Sequence, residues 1–231
     1  VKDINAYGYG TGLVAQYSTN NNKILNNIII PPSLSGNEAT GIDLSQINNS
    51  EITNNTIKNI HEGISVSSGN HNKITSNTIY STMSFGIAIN SMSDNNTITN
   101  NDIWNCSANS VVQACIKVFE SDYNIFDGNK INKSGAYGIK ISSSGSGATD
   151  NSDHNIFRNT NMVGITNTTH AVFLDDDGTN SENLNNTFLN FSYAGETVDS
   201  RSELIRKWYY RAYVNDTSGN NVPGVNVTAY N

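Results

Sequence analysis

Apolar and polar residues alternate along this chain in short runs that recur. The phrase Asn72-Lys-Ile-Thr-Ser-Asn-Thr-Ile79 returns as Asn22-Lys-Ile-Leu-Asn-Asn-Ile-Ile29, Ser50-Glu-Ile-Thr-Asn-Asn-Thr-Ile57 and Asn96-Thr-Ile-Thr-Asn-Asn-Asp-Ile103. Looser copies begin at Tyr123, His154 and Asn186. With the first apolar residue of each copy as anchor, the anchors are Ile24, Ile52, Ile74, Ile98, Ile125, Ile156 and Phe188, spaced by 22 to 32 residues. A second phrase lies between them: Gly41-Ile-Asp-Leu44, Gly63-Ile-Ser-Val66, Gly86-Ile-Ala-Ile89, Cys115-Ile-Lys-Val118, Gly138-Ile-Lys-Ile141 and Ala171-Val-Phe-Leu174. Each unit thus holds two period-2 runs. Runs this short predict strands, not helices. One such unit cannot close a core by itself, but stacked copies can. The pattern predicts an all-β solenoid of about seven coils, with successive coils paired as parallel strands.

The third residue after each anchor is Asn27, Asn55, Asn77, Asn101, Gly128 and Asn159, before Phe191 breaks the series. Asn and Gly both tolerate the left-handed backbone region. That column is therefore expected to be a tight turn with positive φ, its Asn side chains hydrogen-bonded from coil to coil as a ladder.

This alternation of Asn-x-Ile-x-x-Asn-x-Ile with Gly-Ile-x-Ile resembles the right-handed parallel β-helix repeats of the pectate-lyase-like superfamily, most of all NosD-type proteins and large archaeal and bacterial surface proteins. The resemblance covers roughly residues 10–200. It implies a right-handed, single-stranded parallel β-helix. It does not single out an activity, because the architecture carries lyases, hydrolases, epimerases, adhesins and structural modules.

From Glu203 the grammar changes. Trp208–Val214 reads as a strand, Asn215–Asn221 as a turn and Val222–Tyr230 as a second strand. The expected division is residues 1–203 as β-helix and 204–231 as a C-terminal β-hairpin. That hairpin resembles the opening of an Ig-like or carboxypeptidase-regulatory-like sandwich. Alternatively it caps the solenoid through Trp208, Tyr209, Tyr210 and Tyr213. Val1 opens inside turn-like sequence, as a mature or excised fragment would.

Composition narrows the function. The net charge is −7 and only 14% of residues are charged. Without clustered Lys and Arg, nucleic acid is not an expected partner. No apolar run is long enough to span a membrane. Asn-x-Ser/Thr sequons fall at Asn48, Asn54, Asn95, Asn105, Asn132, Asn167, Asn185, Asn190, Asn215 and Asn226. They are candidate glycosylation sites of a secreted chain, although an Asn- and Thr-rich sequence also generates sequons by accident. Cys106 and Cys115 lie in one coil. They are candidates for a local disulfide, with a buried free thiol the alternative.

Candidate chemistry gathers on the Gly-Ile-x-Ile run, where x points outward: Asp43, Ser65, Ala88, Lys117, Lys140 and Phe173. Lys117 and Lys140 should lie one coil apart, with Glu120, Asp175, Asp176 and Asp177 near the strand ends. Carboxylates beside an outward Lys suit a calcium-assisted polysaccharide lyase, with Asp175, Asp176 and Asp177 as oxygen ligands and a Lys taking the proton. The bland alternative is a solvated face of charge pairs. The pair Asp175-Asp176 resembles that of polygalacturonases, but their Gly-His-Gly and Arg-x-Lys motifs have no counterpart here. His61, His71, His154 and His170 are too scattered for a copper or zinc site.

The leading expectation is a non-catalytic extracellular module of a cell-surface protein. It would be a structural spacer or surface-layer element that contacts glycans or neighbouring domains and needs no cofactor. One alternative is a lyase or hydrolase of extracellular acidic polysaccharide, with Ca2+ as the conceivable cofactor. Another is an adhesin or filament subunit that self-associates through its open solenoid ends.

Overall fold

The computed structural model describes residues 5–6, 12–16, 20–31, 39–107, 113–144, 151–166, 170–176, 182–209 and 214–224. Every inter-strand ladder among them is parallel, and the strands fall into three sheets of eight, seven and eight. The anchor sheet begins at Lys23–Leu25 and repeats through Lys73–Thr75 and Thr97–Thr99 to Asn183–Leu189 and Ser202–Lys207. The glycine sheet carries the Gly-Ile-x-Ile runs, such as Glu62–Ser67, Ala114–Phe119 and Tyr137–Ser142. A middle sheet lies between them, with Thr56–Ile60, Thr78–Thr82, Asp102–Cys106 and Lys130–Ser134. Each coil therefore has three short strands where the sequence pattern suggested two. The tail of the Asn phrase, Thr-Ile, turns a corner and becomes a strand of its own.

Period-2 side chains stack in register. Ile52, Ile74, Ile98, Phe126, Phe157 and Phe188 form one inward column. Ile57, Ile79, Ile103, Ile131 and Met162 form a second, and Ile64, Ile87, Ile116, Ile139 and Val172 a third. Every one of these side chains is buried, and together they make one continuous core.

Two anchors need correction. Ile125 pairs with Thr97, and Ile156 with Ile125, so both lie in the half-exposed outer column. The inward residues are their neighbours Phe126 and Phe157. A one-residue shift in a strand sends a side chain to the other face. The Asn column shifts with it, from Gly128 and Asn159 to Asn129 and Thr160.

The ladder is thus Asn27, Asn55, Asn77, Asn101 and Asn129. Each backbone N–H from Asn27 to Asn101 donates to the next side-chain Oδ1 at 2.9–3.0 Å. Each Nδ2 from Asn55 to Asn129 also donates to a main-chain carbonyl of the preceding coil, at 2.8–2.9 Å. Positive φ belongs to the residue just before the ladder: Asn26, Asn54, Ser76, Asn100, Gly128 and Asn159, at 51–65°. The turn and the ladder are adjacent columns, not one. A second ladder, not anticipated, precedes the anchor strands and runs Ser50, Asn72, Asn96, Asn124, Asn155 and Asn186.

A third corner column changes its chemistry along the rod. Asn48, Asn70, Asp94, Asp122 and Asp153 each accept the next coil's backbone N–H, so three carboxylates stack one above another. Burial, together with Asp153 and Asp94, raises the Asp122 pKa against a main-chain hydrogen bond and His154 that lower it. A carboxyl raised on folding contributes stability that is complete below its unfolded value and is lost as pH rises through the folded one. Asp122→Asn keeps the acceptor and removes the charge. It should stabilise the protein by about 1 kcal/mol at neutral pH, or roughly 2–4 °C in Tm. The gain should vanish in acid. Calorimetric scans at neutral and acid pH test this, and an unchanged or lower Tm at neutral pH would refute it.

Cys106 and Cys115 form a disulfide with a Cα–Cα distance of 5.3 Å, joining the middle and glycine sheets. The parallel strand Ser202–Lys207 pairs with Asn183–Leu189, so the solenoid extends through Lys207, past the expected boundary at residue 203. Beyond it, Asn215 and Asn221 form an antiparallel bridge, and Asp216 accepts the N–H groups of Ser218 and Asn220. This is the expected turn. Its flanking residues 210–213 and 225–231 lie outside the described residues. Trp208 and Tyr209 are exposed, and Tyr210 and Tyr213, the other two residues of the expected cap, lie outside the described residues. Among the described residues no helix is long and apolar enough to cross a membrane.

Candidate functional site

The outward column of the glycine sheet is Asp43, Ser65, Ala88, Lys117, Lys140 and Phe173, in register. Two residues on, the outward column is Ser45, Ser67, Asn90, Phe119, Ser142 and Asp175. Strand register places Lys117 beside Lys140, and period 2 places Phe119 on the same face as Lys117. The residues after Phe119 and Ser142 take different roles. Glu120 is a corner residue with φ 48°, not a partner on the strand face.

The two lysines stand in different surroundings. The Lys117 Nζ lies 5.0 Å from the Phe85 ring centroid and 4.5 Å from that of Phe119. Burial holds its pKa below the ordinary lysine value; Glu62 opposes this, Lys140 adds to it and Glu120 opposes it. Lys140 pairs with Asp175 at 2.8 Å and lies 5.4 Å from the Phe173 ring. A ring face attracts a cation, so both ammonium groups are steered by aromatic neighbours. Phe85, Lys117, Phe119, Lys140 and Asp175, with Gln113, Ser142 and Ser143, line a groove of about 360 Å³. The Ser143 hydroxyl is buried and has no hydrogen-bond partner among the described residues. Tyr137, His170 and Phe173 extend the aromatic surface, with ring centroids 5.2–6.2 Å apart.

The acidic residues do not act as one group. Asp175 reaches the groove. Asp176 is buried and turned toward the next coil, where Arg201 donates its backbone N–H at 3.1 Å and brings its guanidinium within 3.5 Å. Asp177 lies outside the described residues. Calcium prefers six to eight oxygen ligands. Asp175 facing Lys140 and Asp176 facing Arg201 do not offer such a set. Among the described residues no group of three or more His, Cys, Asp or Glu side chains could hold a metal ion.

Of the residues singled out from sequence, Lys117, Lys140 and Asp175 come together, whereas Glu120 and Asp176 do not join them. Phe85, Phe119 and Tyr137 were missed. One signal was present: Phe119 stands in a column that is otherwise Gln, Ser, Asn or Asp.

The architecture defines a right-handed parallel β-helix solenoid with a basic, aromatic-flanked groove on one sheet. Residues 1–172 and, in an overlapping match, 40–207 fit the family described as right handed beta helix region, and the chain belongs to it. Among curated proteins, none matches the sequence. Among solved structures, it is similar to the periplasmic alginate epimerase AlgG, with a TM-score of 0.65 and 16% identity over 87% of this chain and 48% of that one. It is also similar to an alginate lyase from a Paenibacillus species, with a TM-score of 0.52 and 17% identity over 90% of this chain and 88% of that one. The Azotobacter vinelandii mannuronan C-5 epimerase AlgE6 A-module gives a TM-score of 0.52 and 17% identity over 91% of this chain and 56% of that one. At these identities the likeness is one of fold. The chain spans about half the length of AlgG.

Proposed function

We propose that this chain is an extracellular β-helix module whose glycine-sheet groove binds an acidic polysaccharide. The observation that carries the reading is the Lys117–Lys140 pair, one coil apart and flanked by Phe85, Phe119 and Phe173. Adjacent coils are about 4.8 Å apart along the rod, comparable to the length of one sugar ring. Two ammonium groups at that repeat suit successive carboxylates of a uronan chain. The rings supply apolar surface for the C–H faces of the sugars. The polysaccharide-active proteins of like fold support the substrate class. Sequons and low charge support the location.

Titration calorimetry with alginate, polygalacturonate and neutral dextran tests the reading. The acidic polymers should bind and dextran should not. Lys117→Ala or Lys140→Ala should each weaken binding about tenfold or more, since a hydrogen bond to a charged group contributes about 1.5–3 kcal/mol. Added salt should weaken binding further. Equal affinity for dextran, or no loss in either variant, would sink the proposal.

A second reading is favoured by the depressed Lys117 pKa. A lysine held below its ordinary value is a better proton acceptor near neutral pH, as lyase or epimerase chemistry at a uronate C5 requires. Incubation with the same polymers would then yield unsaturated products that absorb in the ultraviolet, or inverted uronate residues by NMR. Lys117→Arg would retain binding and lose turnover. Binding without either product leaves the module non-catalytic.

A further inference from the structure

On the middle sheet, away from the groove, the outward column runs Lys58, Tyr80, Trp104, Asn132 and Val163 in register. The rings of Tyr80 and Trp104 are parallel to within 2°, with centroids 4.4 Å apart. The Lys58 ammonium lies 5.3 Å from the Tyr80 ring centroid. Tyr80 is thus flanked on both sides. Trp104 has one face on Tyr80 and its other toward the coil of Asn132. Beyond Asn132 stands Val163. Trp104 and Val163 remain 37% and 48% exposed. A tall, part-exposed indole therefore stands beside a short, exposed Asn side chain, with the small Val163 beyond it.

That Asn begins the sequon Asn132-Lys133-Ser134. It differs from the other sequons among the described solenoid residues. Asn54, Asn95, Asn105, Asn185 and Asn190 sit at left-handed corners, with φ 50–58°. Asn48 uses its Oδ1 in the corner ladder. Asn132 lies in an extended strand, Lys130–Ser134.

The geometry points to Asn132 as an N-glycosylation site whose first sugar packs on the Trp104 ring from the next coil, extending the Tyr80–Trp104 stack by one ring. An Asn side chain is much shorter than an indole, so a sugar on Nδ2 stands level with the Trp104 ring. Its C–H face then covers apolar surface that is otherwise wet. The donor is a lipid-linked sugar pyrophosphate of a secretory pathway. The bond from Nδ2 to the anomeric carbon forms, and the bond from that carbon to the pyrophosphate oxygen breaks. The pyrophosphate leaves with the electron pair, and Nδ2 gives up one proton. The inference rests on the extracellular reading above, not on the groove.

The test is secretion of the chain from a glycosylating host beside a control glycoprotein, followed by peptide mass spectrometry. A sugar at Asn132 is expected. Enzymatic removal of that sugar should lower Tm and shift the Trp104 emission in a Trp208→Phe background. Trp104→Ala should abolish the Tm difference while leaving occupancy intact. A bare Asn132 beside occupied sequons overturns the inference alone. Every sequon bare beside a modified control overturns it together with the extracellular reading. An occupied Asn132 whose deglycosylation moves neither Tm nor emission overturns the packing of sugar on indole.

Discussion

Asn77→Ala should cost about 3–5 kcal/mol and leave the central coils the first to open. Asn77 is buried at 1% exposure. Its Oδ1 accepts from both the backbone N–H and the Nδ2 of Asn55, each at 2.9 Å. Its Nδ2 donates to the Ile52 carbonyl at 2.9 Å and to Asn101 Oδ1 at 3.0 Å. Alanine removes all four bonds and leaves the Asn55 N–H and the Ile52 carbonyl in a dry corner. An unsatisfied buried group costs about 1–3 kcal/mol, and two are stranded here. Asn77→Asp should not rescue it, because a carboxylate restores the acceptor but places a charge against Asn101 Oδ1. Denaturant unfolding gives the total. Hydrogen exchange should show the amides of Asn55 and its neighbours losing protection first. A loss below about 1 kcal/mol would mean that water replaces the side chain and that the ladder is not a structural element.

The solenoid was legible in the sequence because its rules are local and repeated. With one face of each strand buried, period 2 names the inward residues, as at Ile52, Ile74 and Ile98. The pattern failed where two apolar residues stand together. In Ile125-Phe126 and Ile156-Phe157 hydrophobicity cannot say which one points inward. The Asn two residues before the core position decides it: Asn72 before Ile74, Asn96 before Ile98, Asn124 before Phe126, Asn155 before Phe157. Read from the Asn, the copies align through Phe188. The third strand was hidden for a related reason. Thr56-Ile57-Lys58 offers one inward apolar residue between corners, too little periodicity to separate it from the phrase before.

The groove was half legible. Lys117 beside Lys140, and Asp175 near them, follow from strand register alone. Arg201 does not. It takes Asp176 from the next coil, through a main-chain contact that no periodicity encodes. The cage around Lys117 needed Phe85, which precedes Gly86 in a corner where side-chain direction depends on the turn. The disulfide was legible as one of two alternatives, and the structure selects it over the free thiol: Cys115 occupies a column that is Gly at positions 63, 86 and 138.

Phe157→Ala should be at least as damaging as the ladder variant, and by a different route. Phe126, Phe157 and Phe188 stack along the rod with centroid distances of 4.3 and 4.8 Å, and all three are buried to 1% exposure or less. Truncating the middle ring removes two ring–ring contacts and leaves a cavity between coils whose main chains are held apart by parallel hydrogen bonds, so collapse is limited. Phe→Ala in a core costs about 3–5 kcal/mol, and aromatic pairing adds about 0.5–1.5 kcal/mol for each lost pair. Phe157→Leu keeps most of the volume and should cost about half as much. In a solenoid each coil leans only on its neighbours. The damage should therefore divide the rod. Coils beyond residue 157 should exchange their amides early, while those around Ile52 and Ile74 keep native protection. Uniform loss of protection along the whole chain, with a single unfolding transition, would show instead that the coils fold as one cooperative unit.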